Sequence, residues 1–280
     1  MKLLRRVFTI VGIFFLATVG AIHFMPGMNF VEYVVPVLQI SAVALIVLSA
    51  EAIRNEDNLT MHDKNILMNG FLLVVLGSSL FTAGAFVHLS QVSWSVGEIH
   101  YHADYEVLVE DDSGELQRLN LVDPSKFCSG DVQSDYMCKL NDRTGSTIYH
   151  EHNDNRIHLE GVFKNKEDAT LGAYFETFNG KLTSSTMKYP TNDGLVEVSE
   201  SEDSNKTLKV LVESGVADER SWKVIDNPSE YIVSPYKRGA NLDNIFFIWD
   251  GNSANYVKEQ LRVNNGTYRG QGLVKTGEGF

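Results

Sequence analysis

The chain is short of cysteine, proline and basic charge. Two cysteines and six prolines occur in 280 residues, so at most one disulfide can form. Lys and Arg number 24 against 36 Asp and Glu, a formal net charge of −12. Charge of that sign repels phosphate backbones and anionic lipid headgroups, which excludes a nucleic-acid-binding role. The chain also lacks an internal repeat, a His-Glu-x-x-His helix, and any Ser-His-Asp or Cys-His arrangement, so no catalytic residue is assigned.

Charge is missing most sharply from three stretches, residues 7–25, 31–50 and 66–89. Each reaches the roughly 20 residues needed to cross a bilayer. Their apolar character runs around the whole helix, not along one stripe, as lipid contact on every side requires. Residues 1–97 form this membrane region and are electrically balanced, so the entire negative excess belongs to residues 98–280. Apart from Glu32 at the edge of the second span no Asp, Glu, Lys or Arg interrupts these stretches, so they lack the series of charges a proton or ion relay demands, which argues against a transporter. Pro36 is expected to kink the second span, and Gln39 needs a partner within the bundle. Gly77, Ser79, Ala83 and Gly84 offer small faces for close helix contact.

Lys2, Arg5 and Arg6 precede the first span, and Arg54 and Lys64 follow the second. The positive-inside rule then puts the N-terminus in the cytoplasm and residue 98 onward outside it. Residues 1–21 also resemble a cleavable signal, and cleavage would leave two crossings and the same outside placement.

The outer domain reads as α+β and rich in strands. Residues 100–110 alternate, with Tyr101, Ala103, Tyr105, Val107 and Val109 on one face and His100, His102, Asp104, Glu106 and Glu110 on the other. A polar turn around Gly114 follows. Strands are expected at 148–152, 157–163, 208–213, 231–233 and 244–249. Leu171, Tyr174, Phe175 and Phe178 recur at helical spacing and predict one short amphipathic helix. The domain is taken to span 98–251, with a loosely ordered, glycine-rich tail over 252–280. Cys128 and Cys138 fall in a polar loop of the outer domain, where an oxidising compartment favours a disulfide. Closing so short a loop stabilises by roughly 2–3 kcal/mol on the chain-entropy model. Two thiolate ligands for a soft metal, near Met137, are the alternative.

Five of the eight histidines lie between 100 and 158, as His100-Tyr101-His102, His150-Glu151-His152 and His158-Leu159-Glu160. On a strand, residues i and i+2 point the same way, so paired imidazoles can converge on one ion. Imidazole suits zinc, copper, nickel and iron, whereas calcium and magnesium prefer oxygen. Whether the pairs meet depends on register. An even-summed pairing of the strands near 150 and 158, with an odd-length loop, places His150, His152, His158 and Glu160 on one face. A two-residue turn at Asp154-Asn155 would pair 151 with 158 and turn His158 away. A weaker cluster, His23, Met25, Met28 and His88, sits near the outer ends of the first and third spans, with a thioether and imidazole mix that suits Cu(I).

These motifs resemble a family of membrane-anchored bacterial and archaeal extracytoplasmic domains to which no activity is tied. The resemblance rests on His100-x-His102-x-Asp104, Tyr149-His150-Glu151-His152-Asn153, Asn155-Arg156-Ile157-His158-Leu159-Glu160, Thr170-Leu171-Gly172-Ala173-Tyr174-Phe175, and Asp243-Asn244-Ile245 through Gly251. It covers about 98–251 and not the spans. It departs at Asn153, where Asp is usual, and at Asn155, where Gly is usual. It implies a shared histidine-bearing site, and Asp154 is the residue left to replace an aspartate beside it.

The expected function is a membrane-tethered, extracytoplasmic metal-binding protein that captures or delivers copper or zinc. His100, His102, His150, His152 and His158 are the expected ligands, with Glu160 as a further ligand or an orienting group. A full set of imidazoles with no free position favours binding over catalysis. The alternatives are a metalloenzyme in which Glu160 or Glu151 serves as base to a metal-activated water, and an assembly protein with incidental histidines. The bilayer is the expected partner, together with other membrane or cell-surface proteins.

Overall fold

A computed structural model describes residues 2–24, 30–128, 142–201, 205–214, 221–233 and 244–262. The chain divides into two compact units, one built on the N-terminal helices with Gly161–Lys164, the other on the sheet that follows.

In the first unit, helices α1 (Lys2–Phe24), α2 (Phe30–Arg54) and α3 (Met61–Val92) are each long and apolar enough to cross a membrane. Their common seam is narrow. Val7, Val11 and Phe14 of α1 meet Ala44 and Leu48 of α2 and Leu67 and Val74 of α3, at spacings of three, four and seven that keep one line of a helix facing its neighbours. Leu16, Leu38, Ile46, Leu76 and Leu80 point outward, the pattern of a bundle whose solvent is hydrocarbon. Small residues admit close approach, but not mainly those the sequence suggested. A side chain grown on Gly70 would meet Val7 and Leu48, and one on Gly77 would meet Phe15. Ser79, Ala83 and Gly84 are exposed instead. Pro36 lies within α2. Thr60 and Asp63 form a reciprocal capping box that starts α3.

In the second unit, strands β1 (Glu98–Glu110), β2 (Leu116–Leu119), β3 (Thr144–Gly145), β4 (Tyr149–Glu151), β5 (Arg156–Val162), β9 (Thr207–Ser214), β10 (Ser221–Val224) and β11 (Asn244–Asp250) build a mixed sheet. Its order is β10-β9-β11-β1-β5-β4-β3, with β2 pairing the far end of β1. Strands β6 (Lys181–Leu182), β7 (Thr186–Thr191) and β8 (Gly194–Ser199) form a separate antiparallel sheet. The first half of β1 alternates as its sequence predicts: Ile99, Tyr101, Ala103 and Tyr105 are buried, and His100, His102 and Asp104 are not.

One face of the large sheet is covered by aromatic packing. Helix α5 (Leu171–Glu176) sets Tyr174 against Tyr105 and Tyr149, and Phe175 against Phe247 and Tyr189. The Tyr105 and Tyr189 hydroxyls are 2.9 Å apart. On the other face, helix α6 (Ala254–Arg262) buries Val257 and Leu261 against Leu108, Leu211, Trp222, Phe246 and Ile248. The tail was expected to be loosely ordered from 252; residues 254–262 instead complete the core, because Val257 and Leu261 share one helix face. Residues 263–280 lie outside the described set. The strand expected at 231–233 reduces to a single bridge from Ile232 to Thr170. The short helix α4 (Pro124–Phe127) leads to Cys128, and Cys138 lies outside the described residues.

Helix α6 covers this second face only over its Leu108 end. That coverage explains why Leu108 is buried although it shares the polar face of β1. The other end of the same face carries the histidines.

Candidate metal centre

Strand neighbours bring three histidine-bearing segments side by side. The hairpin of β4 and β5 pairs His150 with His158 and Tyr149 with Leu159. This is the even register, and it leaves Asn153, Asp154 and Asn155 as an odd-length connection. Both asparagines sit in the left-handed region, at φ 63° and 57°, where their short polar side chains cost less than others. The turn is held from below by Glu151, whose Oε1 accepts the Asn155 N–H at 2.8 Å. Continuing the register, Glu160 donates its N–H to Ile148 O.

Strand β1 flanks β5 on its other edge. Arg156 donates to Asp104 at 2.8 Å, the His102 and His158 rings are 4.3 Å apart, and His100 lies 3.4 Å from Glu160. Residue numbers fall along β1 as they rise along β5, so these strands are antiparallel. The result is a grid on one sheet face, with His100, Glu160, His102, His158, His150 and His152 as neighbours.

All six expected residues come together. Donor atoms of His150, His152, His158 and Glu160 lie within 4.8 Å of one another, and so do those of His100, His102 and Glu160. The Nε2 atoms of His100 and His102 are 2.9 Å apart, and those of His150 and His152 are 3.1 Å apart. Glu160 Oε1 lies 3.4 Å from His158 Nδ1 and 3.9 Å from His102 Nε2, while Oε2 lies 3.7 Å from His150 Nε2. Ligands at 2.0–2.1 Å from a tetrahedral ion are about 3.3 Å apart, so the observed separations bracket what one bound ion would impose.

Outer groups aim the rings. His152 Nδ1 lies 3.0 Å from Asp142 O, and a carbonyl accepts only, so Nδ1 carries the hydrogen and Nε2 turns its lone pair inward. His158 Nε2 lies 3.1 Å from Asp154 Oδ2 and leaves Nδ1 facing Glu160. Such carboxylate–imidazole pairs are the usual second layer of a metal site. Asp154 thus stands on the outer nitrogen of the His158 ring.

Charge in the cluster is divided. Burial pushes His150 down to about 3, which keeps it neutral and able to donate a lone pair. Burial also opposes charge on His158, but the hydrogen bonds it donates to Asp154 and Glu160 override it and raise the ring to about 9. Hydrogen bonds from His102 and His158 hold Glu160 well below the usual carboxylate range. Asp154 is also lowered, because burial is outweighed by its bond to His158.

Glu151, expected as a possible base, faces the other way. Strand alternation sends it to the aromatic side, where it is buried and bonded to the turn, and burial raises its pKa. Of the remaining site groups, Asp104 and Arg156 stand within the histidine motifs of the sequence and Asp154 was the expected replacement aspartate, whereas nothing in the motifs pointed to Asp142. The cluster expected at His23, Met25, Met28 and His88 lies largely outside the described residues, which omit both methionines and the side chain of His23.

Three imidazoles and a carboxylate on one ion form a donor set suited to a late first-row divalent metal. No cysteine belongs to either group among the described residues. Comparison of the chain with protein-family models, with curated proteins and with solved structures finds no match, so the chemistry of this centre is read from its own geometry.

Proposed function

We propose that the protein is a membrane-anchored metal-binding module whose sheet domain captures or delivers zinc or copper(II) outside the cytoplasm. One observation carries this reading: five imidazoles and Glu160, drawn from three adjacent strands, converge on one sheet face at ligand spacing. The outer bonds to Asp142 and Asp154 strengthen it, because an incidental histidine patch has no need of fixed tautomers. An all-nitrogen and oxygen donor set favours zinc or copper(II) over the thioether and thiolate sites that hold Cu(I).

The outside placement rests on basic residues gathered at one end of the helix bundle. Arg5, Arg6 and Arg54 line one cavity there with Glu51, and Arg6 pairs with Glu51 at 2.9 Å. That end is the cytoplasmic one by the positive-inside rule. A Cys128–Cys138 disulfide belongs to the same reading, since it needs the oxidising side. A hydrolytic role is less well supported, because Glu160 is engaged by the imidazoles and Glu151 is turned away.

The test is metal content. Full-length protein in detergent is exposed to zinc or to copper(II), freed of excess ion, and analysed by mass spectrometry beside a His150→Ala/His158→Ala variant. At least one equivalent per chain is expected in the wild type, with a clear loss in the variant. Absence of bound metal in the wild type would refute the proposal.

A further inference from the structure

The six donors do not make one coordination sphere. An ion held at 2.0–2.1 Å keeps all of its ligand atoms within about 4.2 Å of each other. His150, His152, His158 and Glu160 satisfy a mutual 4.8 Å limit, and His100, His102 and Glu160 satisfy it separately, but the two sets do not merge into one. A single ion therefore cannot take all five imidazoles in this arrangement. Glu160 is the residue common to both sets, and its two oxygens diverge. Oε2 approaches His150 Nε2 at 3.7 Å, and Oε1 approaches His100 Nε2 at 3.4 Å and His102 Nε2 at 3.9 Å. Oε1 also faces His158 Nδ1 at 3.4 Å, so this oxygen lies between the sets.

We propose that the centre holds two metal ions bridged by the Glu160 carboxylate. This inference rests on the metal-binding reading and adds its stoichiometry and asymmetry. The inner ion takes His150, His152 and His158 with one carboxylate oxygen, a closed tetrahedral set. The outer ion takes His100 and His102 with the other oxygen. The 2.9 Å between those two Nε2 atoms corresponds to an N–metal–N angle of about 90° at ordinary bond lengths. Two imidazoles and one oxygen leave the outer ion at least one position short of four. That position opens to solvent, because the His100 side chain is 66% exposed whereas that of His150 is 1% exposed. Water, or a small anionic ligand exchanging with it, completes the outer sphere. The two ions thus differ in function: the inner one is retained and orders the strands, and the outer one exchanges. Bridged pairs of this kind hold their ions about 3.5–4 Å apart.

Full-length protein in detergent, stripped with a chelator, is titrated with copper(II), with electron paramagnetic resonance recorded at each step and the bound metal counted by mass spectrometry. Two equivalents per chain are expected, with the second producing the broadened and half-field signals of coupled ions. A His100→Ala/His102→Ala variant is expected to keep one equivalent, uncoupled. Two equivalents in the wild type with no coupling would overturn the bridge. One equivalent that the double variant leaves unchanged would overturn the second ion while sparing the metal-binding reading. No bound copper in the wild type, repeated with zinc, would overturn both.

Discussion

Asp154 offers the sharpest test of how the proposed metal centre is supported. Its Oδ2 is 3.1 Å from His158 Nε2, at the far side of the ring from Nδ1, which faces Glu160. Asp154→Asn keeps the size of the side chain and an acceptor oxygen, so the ring stays aimed and only the charge is lost. Removing such outer groups costs metal sites 10–100-fold in affinity. The Asp154 side chain is 42% exposed, so solvent already screens it and the low end applies: about tenfold, or about 1.4 kcal/mol. A second effect has the opposite sign. Asp154 is the strongest of the groups that raise His158 to about 9 in the metal-free protein. A proton on His158 competes with the ion, and losing Asp154 weakens that competition wherever pH is below 9. The two effects separate with pH. The variant should bind zinc about tenfold more weakly than wild type near pH 9, and the gap should narrow or close near pH 7. Competition titration against a chromophoric chelator at both pH values measures this. An equal loss at the two pH values, or no loss near pH 9, would show that Asp154 does not act on the metal through His158.

Three other perturbations have defined outcomes. At pH 8 the metal-free His158 carries a proton that ligation through Nδ1 displaces, so zinc binding should release about one proton from this ring and strengthen as pH rises toward 9; calorimetry in buffers of different ionisation enthalpy reads the count. Gly145 has φ +123°, and a Cβ there would lie 2.7 Å from Tyr149 O and 2.9 Å from His150 Cα. Gly145→Ala should therefore cost about 1–3 kcal/mol in thermal stability and weaken metal binding, because the strand carrying His150 must move. Leu261→Ala removes a fully buried side chain from the packing of α6 on the sheet, and should cost about 2–5 kcal/mol while leaving the bound-metal count unchanged; a negligible cost would mean that α6 is not part of the core.

Much of the architecture was legible because single physical signals sufficed. An apolar circumference sustained over some 20 residues marks a helix able to cross a bilayer, and all three emerge as helices of that kind. Period-two alternation marked β1, and helical spacing marked Leu171, Tyr174 and Phe175. What escaped notice had weaker or divided signals. The β7–β8 hairpin closes on Asn192 and Asp193, a good turn, but Pro190 stands within its first strand, where proline argues against a strand. Its stabilising burial comes from few residues, Met187, Tyr189 and Val198. Helix α6 shows only Val257 and Leu261 as apolar anchors, and the glycine-rich residues after it suggested an unstructured tail. The end of β1 lost its alternation for a tertiary reason, since α6 covers the second face at Leu108.

The site divides along a similar line. Pairs such as His100 and His102, or His150 and His152, follow from alternation alone, since each pair shares a face in any strand. Bringing the pairs together depends on registers that no single segment encodes. The decisive one is His150 opposite His158, and it follows from a three-residue turn in which Asn153 and Asn155 tolerate left-handed backbone. One residue fewer in that turn would send His158 and Glu160 to the aromatic face with Glu151, and neither set of donors would survive. Glu151 guards against this slip. Its carboxylate holds the Asn155 N–H from beneath, so a residue first weighed as a catalytic base acts as the brace of the turn. The chemistry of the exposed face thus depends on a charge spent on the buried one, a dependence visible only when both faces of the hairpin are considered together.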